Sequence, residues 1–533
     1  MTNEESFLQL LADMRDSSLS KSEQGTKFEL LMQKVFQTSP LYAELYEQVW
    51  LWSEFPYSDT HDIGIDLVAK KRELDEYTAI QCKFYDEDTA VSKSDVDTFL
   101  SASGKAFYVD DIEYRYSDRI IIATTDKFSS NAASVLEGQM PPVTVTRLKD
   151  LKESGIDWSS FTLDNLSTMQ NSAKKKPRQH QIESIQAVID GFQHESRGKL
   201  IMACGTGKTY TSLKIAEAYT QGTGNILFLV PSISLLNQTL TEWAAQIAYP
   251  FNVFAVCSDP KASRKKDDDS AESLTDTIIP ATTNVKRLLH QFQAMQKDGK
   301  MNLFFSTYQS IDVISDFQKQ SGIFFDLTIC DEAHRTTGVS LSAQDESSFT
   351  KVHSDDNIKT GKRLYMTATP RIYAEETKKK AQEKTAVLCS MDDISLYGRE
   401  FYKLGFSQAV SMGLLSDYKV IILAVDETYA ANKLQKKITE KTSELTLDDG
   451  VKILGCLNGL SKKTIFSGDE DYFANDPLPM KTAVAFNSSI KASQQFCSLV
   501  REIQTELHDD SFVHVELQHV DGKQKRSRKK RPY

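Results

Sequence analysis

The 533-residue sequence predicts an α/β fold in which a compact α/β domain precedes domains built on parallel sheets. Three observations predict this class. Apolar runs typical of strands alternate with runs typical of amphipathic helices, and a glycine-rich turn joins one such strand to one such helix. A lysine-rich stretch without apolar periodicity also divides the chain near residue 170. At roughly 150 residues per domain, this length accommodates about three domains.

Composition excludes several classes of protein. Hydrophobic residues make up 40% and charged residues 26%, which is ordinary for a globular chain. The first residues carry acids where a signal peptide carries bases, and no apolar run approaches the roughly 18 residues of a membrane span, so we expect a cytoplasmic protein with no membrane partner. The seven cysteines form no CxxC pair, which indicates reduced thiols rather than a zinc site. A net charge of -11 argues against coating nucleic acid by bulk charge but permits a local basic groove.

The first predicted domain spans residues 1–167. Its pattern indicates a helix, two strands joined by the polar turn RELDE, a second helix and a buried strand. In order, these elements are predicted at residues 25–37, 64–71, 77–85, 92–107 and 119–125.

Polar residues at the paired strands of this domain suggest a metal-dependent nuclease site. Asp66 ends the run HDIGID, and Gln81 and Lys83 lie on one face of the next strand because side chains alternate with a period of two. A strand hairpin would bring them together, so that Asp66 and the Gln81 side-chain oxygen hold Mg²⁺ while Lys83 stabilises charge or positions water. Glu29 on the preceding helix is the acid expected to complete the site, and Asp62 is the rival carboxylate. The alternative is a surface hairpin of ordinary polar residues.

A linker is predicted at residues 168–176, where three lysines precede a proline. The next domain, 177–414, alternates helix and strand as a parallel sheet with crossover helices does, and a RecA-like core is the natural candidate. A new alternation from about Tyr418 predicts a second such domain at 415–522, which is incomplete. Residues 523–533 form a basic tail without core residues, and we expect it to be disordered.

The glycine-rich turn of the second domain has the features of a phosphate-binding loop. It reads ACGTGKT between a predicted strand and a predicted helix, and its glycines let backbone amides wrap a phosphate at a helix N-terminus. The predicted ATP-binding residues here are Gly205, Thr206, Gly207, Lys208 and Thr209. Lys208 is expected to reach the β and γ phosphates, and the Thr209 hydroxyl is expected to bind Mg²⁺.

An apolar strand further along the chain ends in Asp-Glu-Ala-His. Asp331 is suited to hold Mg²⁺ through water, and Glu332 to orient or deprotonate the water that attacks the γ-phosphate. This DEAH sequence downstream of GTGKT resembles the superfamily 2 helicases.

Further segments match that superfamily in order. Gln181 matches its adenine-reading glutamine, residues 229–232 with Leu235, Gln238 and Trp243 resemble a DNA-contacting segment, and residues 306–310 resemble a second one. The motif that couples hydrolysis to domain movement is matched by Thr367, Ala368 and Thr369.

The first domain resembles the PD-(D/E)xK nucleases in their Mrr-like form, in which glutamine replaces the second acid. A nuclease of this type joined to a DEAH motor resembles the N-terminal part of the Type ISP restriction-modification enzymes, which are single-polypeptide and Type I-like. The resemblance implies ATP and Mg²⁺ as cofactors and translocation on double-stranded DNA. It also implies a methyltransferase and a target-recognition portion, and no motif of either follows residue 490. The arginine-bearing motifs of a complete second motor domain are missing too, so we expect a truncated chain whose ATP turnover is impaired.

Two other interpretations stay open at this point. One is a stand-alone nuclease-helicase of defence or repair, which needs a complete second motor domain. The other is a catalytically silent DNA-binding or nucleotide-binding remnant, which the abrupt basic tail favours.

Overall fold

The computed structural model of the protein contains two large sheets, and the residues it describes are 1–58, 64–161, 168–257, 273–295, 299–340, 347–378, 387–418, 447–462, 478–487, 489–506 and 513–519. These residues form two compact units that divide between Ser416 and Asp417. None of the helices that they form is long and apolar enough to cross a membrane.

The first sheet lies in the amino-terminal region and is mixed. Its strands are β1 (Tyr46–Leu51), β2 (Leu67–Lys71), β3 (Tyr77–Lys83), β6 (Asp118–Ala123) and β7 (Val143–Thr146), and a separate ribbon pairs β4 (Phe107–Val109) with β5 (Ile112–Tyr114). The order is β1-β2-β3-β6-β7, with β1, β2 and β3 antiparallel and β3, β6 and β7 parallel. The predicted strand pair with its RELDE turn is therefore present as β2 and β3.

Helices cover this sheet. They are α1 (Asn3–Asp16), α2 (Lys21–Thr38), α3 (Pro40–Leu45), α4 (Lys93–Ala102), α5 (Ser130–Leu136) and α6 (Leu148–Lys152). Hydroxyl side chains begin several of them: Thr2, Ser20 and Ser92 each accept a hydrogen bond from the amide three residues on, which satisfies a donor that has no partner inside the helix. Helix α2 packs on β1 and β3, so the predicted helix at 25–37 lies beside the strand that carries Gln81.

The second sheet is parallel throughout. Its strands are β8 (Arg197–Met202), β9 (Asn225–Val230), β10 (Phe251–Val256), β11 (Met301–Thr307), β12 (Phe325–Cys330), β14 (Thr360–Thr367) and β16 (Arg399–Leu404), and a separate ribbon pairs β13 (Gly338–Ser340) with β15 (Val387–Cys389). The order is β10-β11-β9-β12-β14-β8-β16. Because β12, β14 and β8 are parallel neighbours, their carboxyl ends meet at one edge of the sheet.

Crossover helices flank the second sheet, as the predicted alternation requires. They are α7 (Gln179–His194), α8 (Lys208–Thr220), α9 (Ile233–Gln246), α10 (Val285–Met295) and α11 (Ile311–Ser321), followed by the short helices α12 (Ile394–Tyr397) and α13 (Phe406–Ser411). The predicted helix and strand sequence of this domain is thus present, and a mixed α/β fold with a RecA-like parallel sheet is confirmed.

The second unit is described by two helices, α14 (Leu447–Ser461) and α15 (Ile490–Glu506). Their apolar faces share a small core that includes Leu454, Leu457 and Ile503. The strand predicted at residues 481–487 is not formed: these residues are exposed and pair with no strand among the described residues. The strand predicted at 419–425 and the basic tail at 523–533 lie outside the described residues.

The segment predicted as a linker is hydrogen-bonded to residues on both sides of it in the chain. The Ser172 amide donates to the Gly155 carbonyl at 2.8 Å, the Lys174 ammonium donates to the Ile247 carbonyl at 2.6 Å, and the Tyr210 hydroxyl donates to the Lys175 carbonyl at 2.6 Å. These bonds hold the described part of the segment against the protein surface.

A single apolar core continues from the first sheet into the second. It includes Phe36 and Ile156 of the amino-terminal region and Trp243 and Ile247 of the region that contains the second sheet. An ion-pair cluster reinforces the junction. Both oxygens of the fully buried Asp118 carboxylate lie 2.6 Å from the Arg287 guanidinium on α10, and the Lys71 ammonium of β2 contacts the same carboxylate. The two sheets therefore belong to one body.

We predict that Arg287→Ala lowers the free energy of unfolding of the first unit by about 2–3 kcal/mol. Loss of one partner leaves the buried Asp118 charge only partly compensated by Lys71. The measurement is urea unfolding followed by tryptophan fluorescence, which reports on the first unit because it contains all four tryptophans. Arg115→Ala is the matched control, since Arg115 and its partner Glu113 are exposed and such pairs contribute below about 1 kcal/mol. Equal losses in the two variants would contradict the role given to the junction.

Candidate nucleotide and nuclease sites

The phosphate-loop sequence forms the turn between β8 and α8. Gly205 and Gly207 have φ of 82° and 87°, in the left-handed region that glycine adopts without strain. Helix α8 begins at Lys208 and points its free N-terminal amides at the turn. The Lys208 ammonium lies 3.3 Å from the Met202 carbonyl, within the curve of the loop. The turn thus has the backbone of an anion-binding site.

The beginning of α7 supports this loop from outside. The His180 Nε2 atom lies 3.0 Å from the Thr206 carbonyl, and the Gln181 amide donates to the Gly207 carbonyl at 3.5 Å. A Cβ atom at position 207 would come within 2.4 Å of the Gln181 nitrogen. Gln181, predicted to read adenine, therefore contacts the phosphate loop itself, and His180 is a supporting residue that the motif comparison did not identify.

The two acids of the DEAH sequence follow β12 at the same edge of the sheet. Asp331 is buried, and its pKa is raised to about 6, chiefly by burial and then by the negative charge of Glu332, while Lys208 opposes the rise. A buried carboxylate with this raised pKa has too little positive charge beside it, so a divalent cation would favour its ionised form. The half-buried Thr209 hydroxyl follows Lys208 in α8 and offers a second oxygen ligand. The donor set therefore fits Mg²⁺, which prefers carboxylate and hydroxyl oxygens.

Glu332 has an unusual backbone. Its φ is 47°, uncommon for a residue with a side chain, and it begins the 3₁₀ turn Ala333–Thr336. Within this acid-bearing turn, His334 Nδ1 lies 3.2 Å from the Glu332 carboxylate and 3.1 Å from the Thr367 hydroxyl. Thr367 ends β14, and its hydroxyl also accepts from the Thr369 amide at 3.2 Å. A short chain of contacts therefore joins Glu332 to the segment that contains Thr367, Ala368 and Thr369.

Most side chains predicted to contact DNA are buried. Trp243 is fully buried and donates its ring N–H to the Thr209 carbonyl at 3.1 Å, so it supports α8 from the core. In the segment at residues 306–310, only Gln309 is exposed, because the other four side chains pack beneath the edge of the sheet. The burial of Trp243 gives it a supporting role in this structure, and contact of its segment with DNA stays a prediction.

The nuclease candidates meet where β2 begins and β3 ends. The Asp66 amide donates to the Ile80 carbonyl at 3.0 Å, and its carboxylate accepts from the Cys82 amide at 2.6 Å. The Gln81 amide nitrogen donates to the Gly64 carbonyl at 3.1 Å. Its side-chain oxygen is buried and has no hydrogen-bond partner among the described residues. Such an acceptor is costly to bury and fits a metal ligand position.

The charges around Cys82 show which other groups are close. Burial raises the pKa of the Cys82 thiol well above its usual range, the negative charges of Asp66 and Glu29 raise it further, and Lys83 opposes them. The structure thus brings Asp66, Glu29 and Lys83 to the same strand end, beside Gln81. Asp62, the rival carboxylate, lies outside the described residues.

Asp95 is an additional acid near Lys83 that the sequence analysis did not identify. Burial raises its pKa, but hydrogen bonds from Ser92 and Tyr85 and the positive charge of Lys83 outweigh burial, so the pKa is lowered overall. The only sequence signal was Ser92-x-x-Asp95, which predicts the beginning of α4 rather than a site. Within the described ranges, no group of three His, Cys, Asp or Glu side chains could hold a metal, so a site here depends on the Gln81 oxygen.

Two family profiles match the chain. Residues 37–168 match the family described as restriction endonuclease, of the Mrr catalytic type, and residues 174–372 match the family described as Type III restriction enzyme, res subunit. The chain therefore combines a restriction-endonuclease domain with a helicase domain.

Similar proteins agree with this architecture. The structure of the ATP-dependent Type ISP restriction-modification enzyme LlaBIII bound to DNA is 37% identical with a TM-score of 0.75, covering 93% of this chain and 31% of that one. A probable helicase, A859L, of African swine fever virus isolate Pig/Kenya/KEN-50/1950 is 29% identical over 48% of this chain and 25% of its own length. The EcoAI endonuclease subunit of the Type I restriction enzyme from Escherichia coli is 24% identical over 55% of this chain and 30% of its own length. The chain thus spans less than a third of each relative and has the nuclease-helicase architecture of the Type ISP enzymes.

We predict that Gly207→Ala strongly weakens ATP binding. A side chain at this position requires an unfavourable φ and displaces the Gln181 amide, which distorts the loop that would hold the phosphates. The measurement is the Kd for a fluorescent ATP analogue, which should rise at least about a hundredfold. Gly322→Ala is the control, because Gly322 also has positive φ, 71°, but open space around it, at the end of α11. If Gly207→Ala bound the analogue as tightly as the control, this loop would not be the nucleotide site.

Proposed function

We propose that the protein is an ATP-driven motor on double-stranded DNA that carries a metal-dependent endonuclease and acts in a restriction-modification system. One observation carries the proposal. The phosphate loop, the acids Asp331 and Glu332, and Thr367 converge at one sheet edge, in the same compact unit as the Asp66 and Gln81 pair. Both chemistries transfer a phosphoryl group to water, from a phosphoanhydride of ATP at one site and from a phosphodiester of DNA at the other.

At the motor site, the protein contributes positions and charges. Backbone amides from Gly205 to Lys208 and the Lys208 ammonium would bind the phosphates of ATP, and Gln181 would read the adenine. Thr209 and Asp331 would hold Mg²⁺, which neutralises charge that develops on the phosphates. Glu332 would orient the attacking water. Thr367, Ala368 and Thr369 would transmit to bound DNA the structural change that ATP hydrolysis causes at Asp331 and Glu332. The contact from His334 to Thr367 supports this role.

At the nuclease site, Asp66 and the Gln81 oxygen would hold the divalent cation, which supplies Lewis-acid activation of a DNA phosphate. Lys83 would stabilise the negative charge that builds up on that phosphate. Glu29, half-buried on α2, would complete the acidic side of the site. The buried Gln81 oxygen, which has no hydrogen-bond partner among the described residues, is the strongest support for this assignment.

The proposed domain bounds are 1–167 for the nuclease, 168–176 for the linker, 177–414 for the first motor domain, 415–522 for the second and 523–533 for a basic tail. We propose DNA as the substrate because the similar LlaBIII enzyme was solved bound to DNA. We further propose that a methyltransferase and target-recognition portion selects the sites that are cut, as the restriction-modification name of that relative implies.

We predict that the two activities separate cleanly by mutation. Lys83→Ala should reduce Mg²⁺-dependent cleavage of duplex DNA about a hundredfold or more and leave DNA-stimulated ATP hydrolysis within about twofold, because it removes charge stabilisation only at the nuclease site. Lys208→Ala should abolish ATP hydrolysis, since the phosphate loop loses its cation. The measurements are phosphate release with and without duplex DNA, and strand cleavage read on gels, with chelation of the metal as a blank.

Lys93→Ala is the matched lysine control, because Lys93 is exposed on α4 and pairs only with Asp97 across one helical turn. It should cleave like the wild type. Unimpaired cleavage by Lys83→Ala would reject the nuclease assignment, and DNA-stimulated hydrolysis surviving in Lys208→Ala would reject the ATP site.

A further inference from the structure

A buried network of hydrogen bonds lies behind the acid-bearing turn, Ala333–Thr336. His353 Nε2 is 3.1 Å from the Thr336 carbonyl, and His353 Nδ1 is 2.9 Å from the Tyr365 hydroxyl. The Thr336 hydroxyl donates to the Ala333 carbonyl at 2.7 Å and lies 3.0 Å from the Tyr397 hydroxyl. All four side chains are buried, and the rings of His353, Tyr365 and Tyr397 pack on one another.

The directions of these bonds follow from their partners. A carbonyl can only accept, so His353 Nε2 carries a proton and donates to Thr336. A neutral ring then has an acceptor at Nδ1, and the Tyr365 hydroxyl donates to it. The Thr336 hydroxyl already donates to Ala333, so it accepts from Tyr397. Every polar group named is satisfied, and the network has one arrangement.

The surroundings keep His353 neutral. Burial is the main reason that its pKa is lowered to about 4, and the positive charges of Arg363 and Arg197 lower it further, while its bond to the Thr336 carbonyl and the charge of Asp393 oppose the shift. These three charged residues face the ring from β14, β8 and the turn before α12. The Tyr365 and Tyr397 hydroxyls lie beside it, and the Asp355 carboxylate pairs with Arg363. The ring therefore keeps the arrangement of donor and acceptor that the network needs at neutral pH.

The network gives the acid-bearing turn a second attachment to β14. The first runs from His334 to Thr367 at the end of that strand. The second runs from Tyr365, two residues earlier, through His353 to Thr336 at the other end of the turn. A 3₁₀ turn of four residues held at both ends has little freedom, and Glu332, in its left-handed conformation, is the residue that begins it.

We infer that His353 is a positioning residue for ATP hydrolysis, which holds the turn after Glu332 so that this carboxylate keeps the orientation needed to direct the attacking water. The inference rests on the proposed motor function and extends it to a residue outside every motif of the sequence analysis. His353 does not contact the phosphate loop, so its contribution belongs to the chemical step and not to nucleotide binding.

The test compares three variants in the full chain. His353→Leu removes both hydrogen bonds and keeps a side chain of similar size, and Tyr365→Phe removes one of the two bonds. His353→Gln restores a donor and an acceptor on one side chain. Tyr219→Phe is the matched control, because Tyr219 is a half-buried tyrosine of α8 outside this network. Steady-state ATP hydrolysis with duplex DNA provides kcat and KM, and a fluorescent ATP analogue provides Kd.

We expect kcat to fall at least about tenfold in His353→Leu and Tyr365→Phe, with Kd within about twofold of the wild type, because only the orientation of Glu332 is lost. Tryptophan fluorescence first shows that all variants are folded. His353→Gln should then recover most of kcat, because it restores the donor and the acceptor, whereas a purely structural role would not require this recovery. Unchanged kcat in His353→Leu, or a rise in Kd as large as the fall in kcat, would overturn the inference. No turnover in the wild type would reject the motor function itself, and with it the role given to His353.

Discussion

The parallel pairing of β8, β14 and β12 is the constraint on which the rest of the site depends. Register brings Ile201 of β8 opposite Thr367 of β14, and Cys330 of β12 opposite Tyr365 of the same strand. The phosphate loop, the coupling segment and the acids each begin where one of these strands ends. Hydrogen bonding within the sheet therefore sets the separation of these groups. The loops that follow the strands need only small changes in conformation to bring the side chains into contact. The contact from His334 to Thr367 and the network through His353 both cross from the acid-bearing turn to β14.

The shared core gives this arrangement a second consequence. Apolar residues from the nuclease helices and from the motor helices belong to one cluster, and Asp118 receives cations from both regions. A nuclease domain packed in this way moves together with the first motor sheet and is not joined to it by a flexible linker. The distance from its strand end at Gln81 to the nucleotide edge is then a fixed property of the first unit. Under the proposed function, cleavage would depend on which DNA the motor brings to the nuclease, because the two sites lie in one compact unit.

Much of this architecture could be predicted from the sequence, because short motifs and apolar periodicity report on local structure. The glycines of the phosphate loop, the DEAH acids, and the strands with Gln81 and Asp66 all lie where the pattern indicated. The burial of Trp243 could not be predicted, because a tryptophan in a motif looks the same in sequence whether it faces DNA or the core. His353 gave no signal, since its role depends on partners 12 and 17 positions away in the chain. Residues 481–487 have the apolar pattern of a strand, but they pair with no strand among the described residues. Pairing depends on residues distant in sequence, so local sequence does not determine it.

Displacement of a third strand from a triplex measures whether the protein moves along duplex DNA. A labelled oligonucleotide bound in the major groove of a long duplex is released only when a motor passes through it. We expect release that requires hydrolysable ATP and is absent in Lys208→Ala. Hydrolysis of ATP on duplex DNA without any release would contradict this movement, and would leave an ATPase that binds DNA but does not travel.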